Sequence, residues 1–139
     1  MLFRSELGYV TTAEAMQPRL ERALADHSGV VFVARRNDEC IGFCHVHLAT
    51  ESILSDPAAE IGSLVVASGH RGEGTGASLV EYALNWARDR GAVRARVRTN
   101  VVRDGAMRFY ERNGWQAAKR QQVYVFDLQL VEPNRPNTA

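Results

Sequence analysis

The chain has 139 residues, of which 45% are hydrophobic and 24% charged, with a formal net charge of +1. That is ordinary for a soluble globular protein, and enough chain for one domain that buries a core without staples. No apolar run approaches the ~18 residues of a membrane span, and Met1-Leu2-Phe3-Arg4-Ser5-Glu6 lacks the long apolar stretch of a signal peptide, so a cytoplasmic protein is expected.

Thr11-Thr12-Ala13-Glu14 reads as a capping box opening a helix to about Asp26, with Met16, Leu20, Ala23 and Leu24 inward. Pro18 lies too deep for the first turn and predicts a kink or a late start. Val30 to Arg35 and Cys40 to Ala49 read as strands joined by a tight turn at Asn37-Asp38-Glu39. On the second strand Ile41, Phe43, His45 and His47 share one face by alternation, and Cys44, Val46 and Leu48 the other. A polar loop broken by Pro57 leads to a third strand, Ala59 to Ala67. A glycine loop, Arg71-Gly72-Glu73-Gly74-Thr75-Gly76, precedes an amphipathic helix from Ala77 to Arg90 that Gly91 stops. Val93 to Thr99 alternates Val and Arg as a strand with an exposed basic face, and Gly105 to Arg112 is a short helix ended by Asn113-Gly114. Trp115 to Ala118 and Gln121 to Leu130 are the last extended pieces. The order implies an α/β (α+β) fold with a mixed sheet: antiparallel first, then one parallel crossover around the glycine loop. Residues 1–131 form a single domain in this reading, and 132–139 a frayed tail.

Cys40 and Cys44, four residues apart on a strand, would stand ~13 Å from each other, beyond the reach of a disulfide. A metal site with His45 and His47 has no second ligand pair, so no metal is expected. Charge is uneven. Asp38, Glu39, Glu51, Asp56 and Glu60 lie in a stretch without Lys or Arg, whereas residues 71–120 carry eleven basic residues against five acids. An acidic half suits a cationic ligand and a basic half a polyanion, although a habit of using Arg for Lys also accounts for part of the pattern.

Strand, glycine turn and helix together present free backbone N–H groups to a phosphate. The loop lacks the Lys and Ser/Thr of a P-loop, since Ala77-Ser78 follows it. Gly72, Gly74 and Ala77 fit a dinucleotide fingerprint loosely, but a hairpin precedes them where a βαβ repeat should. Arg71-x-x-Gly74-x-Gly76 also fits the Arg/Gln-x-x-Gly-x-Gly/Ala pattern of a coenzyme A pyrophosphate cradle. The flanks separate these readings.

From Ala59 to Leu79, AEIGSLVVASGHRGEGTGASL resembles the acetyl-CoA-binding core of GNAT N-acetyltransferases in order and spacing. Downstream, Ala106 to Trp115 (AMRFYERNGW) resembles a second signature of that superfamily. The resemblance implies an enzyme that moves an acetyl group from acetyl-CoA to a primary amine by direct attack in a ternary complex. It implies that the third strand and the Val93–Thr99 strand splay apart. Leu64, Val65 and Val66 then run along the cofactor, with the Leu64 N–H on the thioester carbonyl and Val66 on the pantetheine amides. Amides from Arg71, Gly72, Glu73, Gly74, Thr75, Gly76 and Ala77 wrap the pyrophosphate. Tyr110 contacts the cofactor and donates a proton to the departing thiolate, and Glu60 is the catalytic base, with His45 and His47 as alternatives. Glu60, Gly62, Leu64 and Val66 share a face if the strand is regular, which a bulge would disturb. Phe109, Trp86 and Trp115 read as packing residues. Arg108 and Arg112 are either solvated or reach the cofactor's 3′-phosphate.

Two departures stand out. Against the superfamily's pattern the first strand is expected to be absent, which leaves a bare sheet edge and predicts a homodimer. Arg103 replaces the Asn usual before the second signature, leaving Asn100 as the nearby cofactor contact. The acidic stretch favours a cationic small molecule such as an aminoglycoside, with neither nucleic acid nor membrane expected as partner. A protein or peptide amine, or an acyl-CoA sensor without turnover, remain open.

Overall fold

The computed structural model describes residues 13–49, 53, 55–98 and 104–129. Its elements are helix α1 (Ala13–Ala25), strands β1 (Gly29–Arg36), β2 (Glu39–Ala49) and β3 (Ala58–Val66), a 3-10 turn (Ser68–His70), helix α2 (Thr75–Asp89), strand β4 (Arg94–Val97) and helix α3 (Asp104–Arg112). The sheet runs β1-β2-β3-β4, antiparallel at the first two junctions and parallel at the last. This is the expected mixed sheet. Among the described residues no helix is long and apolar enough to cross a membrane.

β1 and β2 are joined by Asn37 and Asp38, both at positive φ (51° and 64°), the signature of a two-residue turn whose twist matches a hairpin. Their register slips at Ile41, where Ala34 faces Gly42 but Arg35 faces Cys40. The extra residue turns Ile41 to the α2 side, into a cavity shared with Phe32, Leu79 and Tyr82. That corrects the alternation that grouped Ile41 with Phe43, His45 and His47.

The core lies between the sheet and α2. Cys44, Val46, Ala59 and Ile61 pack there against Leu79, Val80, Ala83 and Ala87, which recur at helical spacing on α2. Ala83 is fully buried, so helix and sheet approach closely. Gly91, at φ 84°, ends α2 as its sequence requires.

Three expectations differ from the structure. Helix α1 runs from Ala13 straight through Pro18, so the late start is not realised; the carbonyl that Pro18 leaves unbonded belongs to exposed Glu14. Leu20 and Leu24, read as inward, are 47% and 65% exposed. Residues 115–129 form no strand, because extended chain becomes a strand only beside a partner and none of the described residues provides one. Residues 1–12, on which the capping box and the first-strand expectation fall, lie outside the described residues, as do Leu130 and the tail.

Candidate active site

β3 outruns β4. The two pair from Ala58 with Arg94 to Ile61 with Val97, and from Gly62 onward β3 has no β4 partner among the described residues. The Ala67 amide donates to the Ile41 carbonyl at 2.8 Å, which fixes the alternation along this edge. Ala67 and Val65 turn their amides to β2, and Leu64 and Val66 turn theirs to the open side. The Val66 carbonyl, on that side, accepts from Arg71 Nε at 3.3 Å. Leu64 and Val66 therefore offer their amides to the side of β3 that β4 leaves open. Val65 is 5% exposed with its amide toward β2, so it contributes packing rather than a donor.

The loop after β3 is built for an anion. Gly72 and Gly74 sit at φ 80° and 84°, where a side chain would be strained. Gly74 is the N-cap of α2 and brings no capping side chain. The first helical amide to find its carbonyl is that of Ser78, bonded to Gly74 at 3.0 Å. The amides of Thr75, Gly76 and Ala77 come before it and face outward, with the helix dipole behind them. Gly76 serves differently, by close approach: a Cβ there would stand 3.3 Å from two Phe109 ring atoms and 3.7 Å from Val66. Phe109 thus closes the side of the cleft rather than only filling the core. This donor set fits a pyrophosphate. Arg71, read as a cation at the mouth, folds back onto the strand end. Glu73 meets Arg36 Nη1 at 2.8 Å and His70 Nδ1 at 3.4 Å, pinning the loop to the end of β1.

On the opposite face of the sheet a charged cluster surrounds Glu60. The β2–β3 register slips between His45, opposite Ser63, and Val46, opposite Ile61, so Gly62 is an extra residue. The bulge puts Glu60 on the face away from α2, while Leu64 and Val66 pack toward it. The one-face reading of Glu60, Gly62, Leu64 and Val66 is corrected accordingly. Glu60 Oε1 accepts from Arg96 Nε at 3.1 Å and lies 3.4 Å from Arg98 Nε, and Oε2 lies 3.5 Å from His47 Nε2. His45 stands 5.5 Å from the His47 ring. Burial first, then the His47 charge, hold its pKa below the ordinary imidazole value, with Asp26 opposing. Arg96 and Arg98 were legible only as an exposed basic face. The signal for the bulge was Gly62 itself, a glycine inside a strand.

Tyr110 is 8% exposed, edge-on to Phe109 and Trp115 with ring centroids 5.1 and 5.3 Å away. Asn100 lies outside the described residues. Asp38 and Glu39 occupy the hairpin tip and Asp56 is exposed before β3, while Glu51 lies outside the described residues. No group of three or more metal-ligating side chains occurs among the described residues.

Comparison with known proteins agrees with this geometry. The chain is 32% identical over 114 residues to an aminoalkylphosphonate N-acetyltransferase of Salmonella typhimurium, covering 82% of this chain and 71% of that one. An aminoglycoside acetyltransferase from an uncultured soil metagenomic sample shares the fold with a TM-score of 0.78 at 22% identity, covering 91% of this chain and 84% of that one. An aminoglycoside 6′-N-acetyltransferase from Acinetobacter haemolyticus does so with a TM-score of 0.79 at 12% identity, over 91% and 90%. Residues 2–115 match the Acetyltransferase (GNAT) family. An opened β3–β4 edge, a cradle of helix N-terminal amides and this match have one reading: the chain belongs to the GNAT family of acetyl-CoA-dependent N-acetyltransferases.

Proposed function

We propose that the enzyme acetylates the primary amine of a small molecule that also carries an anionic group, such as a phosphonate, by direct attack of the amine on the thioester. The observation that carries this reading is the charge on the Glu60 face. Two guanidinium groups, Arg96 and Arg98, and the imidazole of His47 converge on one carboxylate. Two guanidinium groups and an imidazole on one face attract a substrate anion and offer little to a polycation. The relative from Salmonella typhimurium, named for an aminoalkylphosphonate acceptor, supports it. An aminoglycoside is the second reading, favoured by the two aminoglycoside acetyltransferases that share the fold.

The chain's residues divide the chemistry. An amine with a pKa near 10 is mostly protonated at neutral pH, and Glu60, backed by His47, draws off that proton directly or through water. The Leu64 amide faces the charge that develops on the carbonyl oxygen, a contribution worth about 3 kcal/mol in comparable sites. The amides of Arg71 to Ala77 hold the diphosphate, and Tyr110 meets the departing sulfur. The enzyme is cytoplasmic in this reading and works as two copies.

The test is release of free thiol from acetyl-CoA across an amine panel. An aminoalkylphosphonate should exceed the corresponding plain alkylamine by tenfold or more in kcat/KM, since one ion pair in a shielded site supplies at least ~1.4 kcal/mol. Faster turnover of aminoglycosides than of aminoalkylphosphonates selects the second reading. Tight acetyl-CoA binding without thiol release from any amine, peptides included, points to a sensor.

A further inference from the structure

Arg36 is the last residue of β1, and strand alternation decides which way it faces. Val30, Phe32 and Ala34 pack toward the core under α2, and Arg36 continues their alternation to the strand end beside the glycine loop. There its Nη1 donates to Glu73 Oε2 at 2.8 Å, and His70 Nδ1 stands 3.4 Å from the same oxygen. Glu73 lies between Gly72 and Gly74, both at positive φ, and a Cβ on either glycine would meet nothing within 4 Å. Packing therefore does not hold this turn, and glycine gives it the most conformational freedom to lose. The space between the end of β1 and the first turn of α2 is a cavity of about 410 Å³, with Arg36, Glu73, Gly74 and Thr75 in its lining. The ion pair crosses from strand to loop where packing is missing.

A carboxylate here also works against the site. Glu73 puts a negative charge into the turn whose amides face the diphosphate, and like charges repel. Arg71, the cation that the loop itself supplies, donates its Nε to the Val66 carbonyl at 3.3 Å. We infer that Arg36 is a positioning residue for coenzyme A. Its guanidinium holds Glu73, and through it the amides of the loop, and offsets the carboxylate's charge beside the diphosphate. The inference rests on the diphosphate cradle of the proposed function, and neither the acceptor amine nor the catalytic base enters it. It gives a cofactor-related role to a residue outside both sequence signatures. The two side chains are 51% and 36% exposed, so the pair adds little to stability and its field is screened by salt.

Titration calorimetry of the full chain with CoA, at about 50 mM and about 500 mM salt, tests this. Arg36→Ala is expected to raise the CoA dissociation constant about five- to tenfold at the lower salt and less than about threefold at the higher. Arg36→Lys keeps the charge and should stay within about threefold of the natural sequence. In a Glu73→Gln background there is no carboxylate to offset, so Arg36→Ala should cost less than about twofold there. A thermal scan of each variant should show a melting temperature within about 3 °C of the natural sequence, as for an exposed pair. An Arg36→Ala protein that binds CoA as tightly as the natural sequence overturns the inference. So does an equal loss in both backgrounds, which would make Arg36 a direct contact of the phosphates. A natural-sequence protein that takes up no CoA at either salt overturns the cradle reading, and the inference with it.

Discussion

Burial, and secondarily the Cys44 thiol nearby, push the Tyr110 pKa up to about 12. A thiolate leaving group has a conjugate acid near pKa 8.5, so complete proton transfer from Tyr110 would run uphill by about 5 kcal/mol. In the proposed mechanism Tyr110 is accordingly a hydrogen-bond donor that keeps its proton near neutral pH. This sharpens the role that the family signature implied. Cys44, raised to about 12 by its own burial, is no nucleophile at neutral pH, which favours direct transfer over an acetyl-enzyme at that thiol. Tyr110 and Glu60, the side chains proposed to act on the proton transfers, should then separate in pH–rate profiles. Tyr110→Phe is expected to lower kcat about 10- to 100-fold with KM for acetyl-CoA unchanged and the profile's shape preserved below pH 11. Glu60→Gln should cost most below about pH 8, where the amine is protonated. Loss of an alkaline limb in Tyr110→Phe would mean that the phenol titrates in the working range, contrary to its burial.

At the level of elements, α2 and its glycine loop show how far local signals carry. Gly72 and Gly74 take the positive φ that only glycine adopts freely, and Gly91 stops the helix, so spacing and turn chemistry announced all three. Strand order was legible for the same reason, since hairpin and crossover follow from turn and helix lengths. What was not legible depends on register between segments far apart in the chain. Glu60 meets Arg96 only because four β3–β4 pairs align them, and it leaves the face of Leu64 only because Gly62 bulges. Leu20 and Leu24 on α1 had the right period but found no cover among the described residues, and the last two extended pieces had strand composition without a neighbour. Gly76 shows the same limit. Its spacing matched the motif, but its need for hydrogen in place of Cβ comes from Phe109 on α3, across the cleft. Its backbone is ordinary, so Gly76→Ala should fold, with helix propensity offsetting a contact a few tenths of an ångström too tight. Melting temperature should change little, while KM for acetyl-CoA rises about three- to tenfold as Phe109 moves off the loop. An unchanged KM would return Phe109 to plain packing.

Across the whole molecule, His45 ties three strands together at the face opposite α2. A Cβ at Gly29 of β1 would meet its Nε2 at 3.4 Å, and one at Gly62 of β3 would meet its Nδ1 at 3.3 Å. Two glycines thus let backbone close over both ring nitrogens, which is the physical source of the desolvation that lowers its pKa, with His47 adding to the shift and Asp26 resisting it. Folding holds the pKa of this imidazole below the ordinary 6.5 at which the unfolded chain protonates it. Below that pH the unfolded state binds more protons, so the stability tied to a neutral His45 is complete above about pH 6.5 and drains as pH falls through the lowered folded value. Asp26, whose carboxyl is held low by the Ser28 amide and hydroxyl, has the same sign but a separate window, below the ordinary aspartate value of 3.8. Acid destabilisation should therefore come in two stages. Melting temperature, followed from pH 8 to pH 5, is expected to fall in the lower half of that range for the natural sequence. In His45→Gln, which keeps a hydrogen-bonding side chain of similar length without a titrating ring, the curve should be flatter over the same interval, even if its plateau is lower. Parallel curves for the two proteins would show that the clamp across β1, β2 and β3 is not what protonation opens.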